Sequence, residues 1–445
     1  MDIGPRTAAQ WVTELRFDDI PAPVVQRAQD LLLDTLAVAA AGVITPAATI
    51  AYDTAAALFS AGDAADAVPL AFDGRPVSTA GAIYALATRL DNLDAHDGYQ
   101  PAKGHAGVVL VPALLACAAG GGEPPPGRAA LCALVAGYEI ASRAGTALHA
   151  TACDYHSSGA WNALGVAALV GRLRGLDPTT LERAFGIAEY HAPRAPMMRE
   201  IDAPSMLHDS SGWGGLAGAA AIELALRDFS ASPSALTGRA EFWSDLGQRW
   251  LVAEQYVKPH PVCYWAQPAI NAALQLRRQK GFDPKRIRSV SIATFHEASR
   301  LARGLPATTE IAQYSLCFPV AAALLRGAVG PEEVAGDGLE NPEVARLLER
   351  IEVVERDEYN ARFPDQRLAD VTVTLEDGTR FASDPTEPRG VPGDPMDRTA
   401  IVEKFRRYAT PWIGAERTDT IERAVLALER PDVGVDSLLQ AVAAT

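Results

Sequence analysis

The chain has 445 residues, of which 48% are hydrophobic and 21% are charged, and this balance excludes an intrinsically disordered protein and favours more than one domain. The formal net charge of −15 opposes a nucleic-acid partner, because the phosphate backbone would be repelled. Five scattered cysteines without a CxxC pair are expected in a reducing compartment, so a cytoplasmic location is predicted.

The first 260 residues or so show helical periodicity. "VVQRAQDLLLDTLAVAAAG" predicts a helix that ends at Gly42, and "STAGAIYALATRLDNLD" predicts a helix with Ser78 as its N-cap. Further predicted helices are "GRAALCALVAGYEIASRAGTALH", "GAWNALGVAALVGRLRGL", "LERAFGIAEYHA" and "GWGGLAGAAAIELALRDF". Many are apolar on more than one face, which indicates a large all-helical core. The longest apolar run, from Val108, is shorter than the ~20 residues of a membrane-spanning helix, and no signal peptide is expected.

The pattern changes between residues 264 and 398. "IRSVSIAT" and "RIEVVERD" predict strands, and "ADVTVTLEDGTRFAS" predicts a strand, an Asp-Gly turn and a second strand. Two helices, "QPAINAALQLRRQK" and "LCFPVAAALLRGAV", complete an α+β unit before the helical C-terminal segments. The predicted fold is mainly α with an inserted α+β domain: residues 1–262 and 399–445 form the helical domain, and residues 263–398 form a lid. The cleft between the domains is the expected site.

The stretch "DNLDAHDGYQPAKGHAG" gathers three aspartates, two histidines and a lysine between two helices. Its glycines and proline interrupt helix formation and predict a loop, a common place for catalytic groups. Asp94 and His105 are the candidates, because a carboxylate can orient an imidazole that moves protons near pH 7. A solvated capping loop is the alternative. No HExxH motif, cysteine cluster or repeated ligand spacing is present, so no metal site is expected.

Polar residues also stand at the starts of other buried helices. His156 with Ser157 and Ser158, His208 with Asp209, and Tyr314 with Ser315 each precede a helix, and Lys258 and His260 lie between prolines at the domain boundary. Helix caps, satisfied core histidines and a surface lysine are the plainer interpretations of each one. Together they predict polar groups that converge on one cleft.

In this order, the segments resemble the MmgE/PrpD family, which includes 2-methylcitrate dehydratase, cis-aconitate decarboxylase and iminodisuccinate epimerase. The resemblance runs through "LLLDTLAVAAAG", "DAHDGYQPAKGHAG", "ALVAGYEIASRAG", "YHSSGAWNALGVAAL", "VKPHPVCYWAQPAINAA", "AQYSLCFPVAAAL" and "PGDPMDRTAIVEKF". It implies a helical domain made from both chain ends, an inserted lid, a homodimer, no metal or organic cofactor, and a small carboxylic-acid substrate. Partners of the nucleic-acid or membrane kind are not expected.

The resemblance also implies roles for individual residues. The catalytic candidates are Asp94, His105, His156 and Lys258, and the substrate-binding candidates are Ser205, His208, Tyr314 and His260. The chain departs from the family pattern in four places. Ala106 replaces a proline, Ser205 or His208 stands where a lysine is expected, Phe318 replaces a tyrosine, and Gln267 replaces a histidine. Fewer donors for carboxylate favour a smaller or less charged acid than a tricarboxylate.

The expected chemistry starts at a C–H bond next to a carboxylate. His105 or His156 moves this proton with Asp94 fixing the imidazole, and Lys258 with the helix starts near Ser157 and Gly212 binds carboxylate. Dehydration is the first expectation, and decarboxylation or epimerisation by the same groups is the alternative. A metabolite-binding or scaffold protein without activity is the competing class.

Overall fold

The computed structural model describes residues 7–63, 66–120, 122–391 and 393–443, and these residues are mainly α-helical with a small α+β part, as predicted. The helices are α1 Ala8–Glu14, α2 Ala22–Ala41, α3 Pro46–Leu58, α4 Thr79–Asp91, α5 Gly107–Ala119, α6 Gly127–Thr151, α7 Gly159–Leu173, α8 Pro178–His191, α9 Met197–Asp202, α10 Ser211–Leu226, α11 Gln267–Arg277, α12 His296–Ser299, α13 Thr309–Gln313, α14 Cys317–Arg326, α15 Pro331–Val334, α16 Pro342–Leu348, α17 Asp357–Asn360, α18 Arg398–Ile413, α19 Ala415–Ala427 and α20 Asp436–Val442. The strands are β1 Val68–Pro69, β2 Pro76–Val77, β3 Ile287–Thr294, β4 Ile351–Glu355, β5 Ala369–Leu375 and β6 Arg380–Ala382.

Local sequence signals explain where two of the central helices begin and end. The Ser78 hydroxyl accepts a hydrogen bond from the Gly81 backbone N–H at 3.2 Å and caps α4, as predicted. Gly42 follows α2 at the predicted end, but its φ of −61° is right-handed. The chain therefore continues from α2 into a short 3-10 helix, Gly42–Ile44, instead of turning sharply away.

The first hydrophobic core combines both ends of the chain. Its buried residues come from residues 8–257 and 401–442, and α7 packs between α6 and α10 at its centre. Helix α18 packs along α2, and a buried ion pair of 2.6 Å joins Lys404 to Asp34 across this contact. The C-terminal helices therefore close the same core that the N-terminal helices begin.

The second core lies between a four-stranded sheet and two helices. The strand order is β4-β3-β5-β6, with β3 parallel to β4 and antiparallel to β5, and β5 antiparallel to β6. Helices α11 and α14 supply much of the buried apolar surface, and the core draws on residues 262–381 together with Met197 and Ile201 of α9. The exact domain boundaries given above remain a prediction.

Among the described residues, no single helix is long and apolar enough to cross a bilayer. One pair bent by 94°, Ala22–Ile44 with Pro46–Leu58, meets the length and composition requirement when the two are taken together.

Candidate active site

A cavity of about 270 Å³ lies where the two cores meet. Its lining includes six charged side chains and two further polar groups: Asp94, Lys103, Asp209, Lys258, Glu297 and Arg367, with His105 and Tyr314. The volume is slightly below the ~300–1,000 Å³ of pockets that hold drug-sized ligands, so this cavity suits a small molecule.

The loop between α4 and α5 forms one wall of the cavity and is held by backbone contacts. Gly98 and Tyr256 exchange two backbone hydrogen bonds of 3.1 and 2.8 Å. The Lys404 ammonium donates a hydrogen bond to the carbonyl of Ala95 at 2.7 Å. Because these anchors lie in distant parts of the chain, the loop acquires its shape only when the helical core is complete.

The third aspartate of the loop, Asp97, has a structural role. Its buried carboxylate accepts hydrogen bonds from the Gly107 backbone N–H at 3.1 Å and from the Tyr138 hydroxyl. A Cβ atom on Gly107 would collide with the Tyr138 hydroxyl and with the Asp97 carboxylate, so the position after Ala106 requires glycine. This contact fixes the start of α5 directly after His105.

Asp94 and Lys258 form a buried ion pair at the cavity wall. The Lys258 ammonium contacts the Asp94 carboxylate and also donates to the Asp94 carbonyl at 3.3 Å. Burial raises the pKa of Asp94 to about 6, while the positive charge of Lys258 acts in the opposite direction. The sequence led us to expect that Asp94 would orient an imidazole. The structure corrects this, since its partner is the ammonium.

His105 is held with its Nε2 atom available. Its Nδ1 atom bonds to the carbonyl of Asp97, and because a carbonyl can only accept, Nδ1 is the donor and Nε2 carries the lone pair in the neutral ring. Burial lowers the pKa of His105, the charge of Lys258 lowers it further, and Asp209 opposes both. The imidazole is therefore neutral at pH 7 and can accept a proton.

Asp209 is a cavity residue to which the sequence analysis assigned no role. Its Oδ2 atom lies 3.7 Å from Nε2 of His105. Its Oδ1 atom accepts hydrogen bonds from the backbone N–H and the hydroxyl of Ser158, both at 2.8 Å. The sequence signal was an aspartate directly before α10, but only the fold brings it to His105.

The two helix starts proposed above as substrate-binding sites hold carboxylates of the protein itself. The start of α7 binds Asp209 through Ser158, and the Ser211 N–H at the start of α10 donates to Asp91 at 3.0 Å. The backbone donors of Ser158 and Ser211 are occupied, which opposes the expectation that these helix starts bind a substrate carboxylate. The partial positive charge at each helix start stabilises the carboxylate that is bound there. It thereby holds Asp209 near His105 and Asp91 near His96.

A second histidine, His96, packs behind His105. The two ring centroids are 4.4 Å apart, and Nε2 of His96 lies 3.7 Å from the Asp91 carboxylate. Burial lowers the pKa of His96 well below its ordinary value, so the ring is neutral. His96 therefore supports one side of the His105 ring.

Among the predicted substrate-binding residues, Tyr314 lines the cavity. Its hydroxyl lies 3.4 Å from Nδ1 of His208, which is buried behind it and does not line the cavity. Ser205 instead bonds to Glu200, and Nδ1 of His260 bonds to the carbonyl of Val329 at 2.9 Å. These three side chains therefore stand outside the cavity wall.

His156 is the one catalytic candidate that does not line the cavity. Its backbone N–H donates to Nε2 of His149 at 3.2 Å, and the two rings lie 6.4 Å apart. Tyr155, the preceding residue, lines the cavity. The structure thus brings Asp94, His105, Lys258 and Tyr314 together and leaves His156 beside them.

Two of the departures from the family pattern have structural roles. The Gln267 side chain donates hydrogen bonds to the carbonyls of His260 and Val262, at 2.9 and 3.0 Å, and holds the turn that follows Lys258. Phe318 is buried in the second core. Within the described ranges, no group of three or more His, Cys, Asp or Glu side chains is arranged to hold a metal ion.

Comparison with known proteins assigns the chain to a family. The MmgE/PrpD N-terminal domain matches residues 6–248, and the MmgE/PrpD C-terminal domain matches residues 260–430. The chain is 27% identical to a cis-aconitate decarboxylase-like protein, oryM, of Aspergillus oryzae, with 94% of this chain and 93% of that protein aligned. It is 24% identical to cis-aconitate decarboxylase of Aspergillus terreus (94% and 92% aligned) and 24% identical to that of Homo sapiens (93% and 89%). The matched domains span most of the chain, and the protein belongs to the MmgE/PrpD family.

Proposed function

We propose that the protein is a lyase that moves a proton next to a carboxylate of a small carboxylic acid. The observation that supports this most strongly is a single cavity in which a neutral imidazole, His105, lies with an ammonium, Lys258, and a hydroxyl, Tyr314. Burial of ionisable groups is unfavourable, and groups with perturbed pKa values concentrate at functional sites. The same observation opposes a scaffold without activity.

Each group has a chemical role in this proposal. Nε2 of His105 exchanges a proton with the substrate carbon, and Asp209 stabilises the imidazolium that forms when the ring gains the proton. Lys258 and the Tyr314 hydroxyl stabilise the enediolate-like charge that develops on the carboxylate. Asp94 acts as a positioning residue that holds the Lys258 ammonium in place. No step requires His156.

Decarboxylation is the first candidate reaction, because three relatives that align over most of the chain are named as cis-aconitate decarboxylases or as similar to them. In that reaction the C–C bond to the carboxylate breaks and CO₂ leaves with the carboxylate carbon. The electron pair left on the neighbouring carbon then takes a proton that Nε2 of His105 has first accepted from solvent, which returns the ring to its neutral form. Dehydration is the second candidate, because burial keeps His105 in the neutral form that can remove a proton. Hydroxide then leaves from the neighbouring carbon.

A panel of unsaturated, hydroxy and amino-substituted di- and tricarboxylic acids tests the proposal. Each acid is incubated with the enzyme in D₂O and followed by ¹H NMR for CO₂ loss, water loss, epimerisation and deuterium incorporation next to a carboxylate. We expect at least one acid to exchange or react. If the folded protein neither converts nor labels any acid of the panel, the lyase proposal is contradicted and a binding or scaffold role is favoured.

A further inference from the structure

Arg367 is a buried guanidinium at the wall of the same cavity. Its exposed fraction is 7%, and Nη1 donates a hydrogen bond to the carbonyl of Pro364 at 2.8 Å. The guanidinium carbon lies 5.3 Å from the ring centroid of Tyr264 and 5.4 Å from that of Phe363. The two aromatic rings fix the side chain against the cavity, which Arg367, Tyr264 and Phe363 all line.

This cation has no anionic partner among the residues that the structure describes. Within the described ranges no carboxylate forms an ion pair with Arg367, and its buried Nε atom has no hydrogen-bond acceptor. Arg143, by contrast, is equally buried and contacts both Glu139 and Asp245. A buried charge is costly unless an opposite charge compensates it, so the environment of Arg367 is suited to an anion that enters the cavity.

The segment that carries Arg367 is tied to the loop that carries His105. The Gln100 amide, in that loop, donates hydrogen bonds to the carbonyls of Pro364 and Asp365, both at 3.0 Å. Arg367 precedes Leu368 of the second core, whereas Lys258 follows Val257 of the first and Lys103 follows Ala102 of the first. The cavity therefore has cations on both sides of the boundary, Arg367 on one side and Lys103 and Lys258 on the other.

We propose that Arg367 is a specificity-determining residue that binds the substrate carboxylate lying away from the reacting carbon. This inference rests on the proposed function, because it assigns a binding residue in the same cavity. The planar guanidinium offers paired N–H donors that match a carboxylate. One carboxylate is held at Arg367, and the other lies at Lys258, next to the carbon that exchanges its proton.

Calorimetric binding of two inert acids tests this inference without any turnover. Succinate and butyrate share a four-carbon chain and differ by one carboxylate. We expect the wild type to bind succinate at least about tenfold more tightly than butyrate, and R367Q to lose this preference while its affinity for butyrate stays within about threefold. R367K keeps the charge without the paired donors and should fall between the two.

Arg89 offers a matched control, because it is also buried and lies against two aromatic rings but does not line the cavity. R89K should leave the preference for succinate unchanged. The inference is overturned if the wild type shows no such preference, if R367Q or R367K binds succinate as the wild type does, or if R367K weakens both acids equally. If R367Q does not fold, R367K decides the matter.

The binding assay and the deuterium-exchange assay together separate the role of Arg367 from the proposed lyase function. An unchanged succinate affinity in R367Q or R367K, together with deuterium exchange into an acid of the panel, removes the second carboxylate site and leaves the lyase. Loss of the succinate preference in those variants, without exchange into any acid, keeps the site and removes the lyase.

Discussion

At the scale of single residues, the Asp94–Lys258 pair sets the expected pH dependence. Burial raises the pKa of Asp94 to about 6, so the carboxyl is ionised and paired with Lys258 above this pH and becomes protonated below it. The pKa of His105 is lowered, so its neutral form persists through this range. We therefore expect kcat/KM to fall on the acid side with a midpoint near pH 6, measured on the best substrate of the panel.

The substitution D94N assigns this acid limb. D94N has no titrating carboxyl at this position, so the pH profile of its residual activity should lose the acid limb near pH 6. If the limb instead reports protonation of His105, D94N should show the same midpoint as the wild type.

The Asp94 carboxyl affects stability in the opposite sense. Its pKa in the folded state exceeds the ordinary value of 3.8, so the folded state holds the proton more tightly, and the Asp94 contribution to stability falls as pH rises from about 4 to 6.

The sequence identified some site residues and missed others for physical reasons. Asp94 and His105 were predicted because their loop interrupts two apolar helices with titratable groups. Arg367 was missed because an arginine before a strand looks like a solvated residue, and only the fold encloses it between aromatic rings. His156 was predicted as a catalytic residue but does not line the cavity. Its position at a helix start did not reveal which way its side chain points.

At the scale of elements, helix α18 links the C-terminal segment to the loop between α4 and α5. Lys404 is buried, pairs with Asp34 of α2 at 2.6 Å and donates to the Ala95 carbonyl beside Asp94. Burial raises the pKa of Asp34 and lowers that of Lys404, which shows that desolvation opposes both charges. The pair is therefore held by its mutual contact.

Removing one partner of this pair should be costly. We expect K404M to lower the free energy of unfolding by about 3–5 kcal/mol, because Asp34 is left as an uncompensated buried charge. Urea denaturation followed by circular dichroism measures this. Arg406, in the same helix, forms half-exposed ion pairs with Asp419 and Glu422, so R406A should cost no more than about 1 kcal/mol. Equal effects of the two variants would contradict a structural role for Lys404.

The elements themselves were largely readable from the sequence. The alternation in "IRSVSIAT" predicted β3, and that in "ADVTVTLEDGTRFAS" predicted β5 and β6. The Asp-Gly turn in the second segment predicted the hairpin between β5 and β6. The roles of the helix starts were not readable. Ser158 stands at the expected N-cap of α7, but its hydroxyl binds Asp209 instead of the helix backbone. That choice depends on a residue 51 positions away.

At the scale of the whole molecule, two cores meet at one cavity, and the ends of the chain both contribute to the first core. The periodicity of the sequence predicted the two types of core, because apolar spacing reports helix or strand directly. The periodicity did not reveal which side chains face the boundary between the two cores, because this depends on how the cores pack against each other. The cavity lining therefore required the structure.

The homodimer implied by the family resemblance remains a prediction. Several large apolar side chains are exposed near α8 and α10, among them Tyr190, Leu207 and Trp213. Exposed apolar clusters of this kind often mark contacts between subunits. Light scattering should give about twice the chain mass of 47.1 kDa, and W213E should shift the protein towards the monomer. A monomer mass for the wild type at micromolar concentration would contradict the dimer.

The most direct test of the account compares H105Q with H156Q in the solvent-deuterium assay, using the best acid of the panel and confirming the fold of each variant by circular dichroism. His105 lines the cavity with its lone pair available, whereas His156 does not line it. We expect H105Q to lower the rate of deuterium incorporation by about 10² or more and H156Q to lower it less than about tenfold. If H105Q incorporates deuterium at the wild-type rate, His105 does not transfer the proton and the proposed mechanism is wrong.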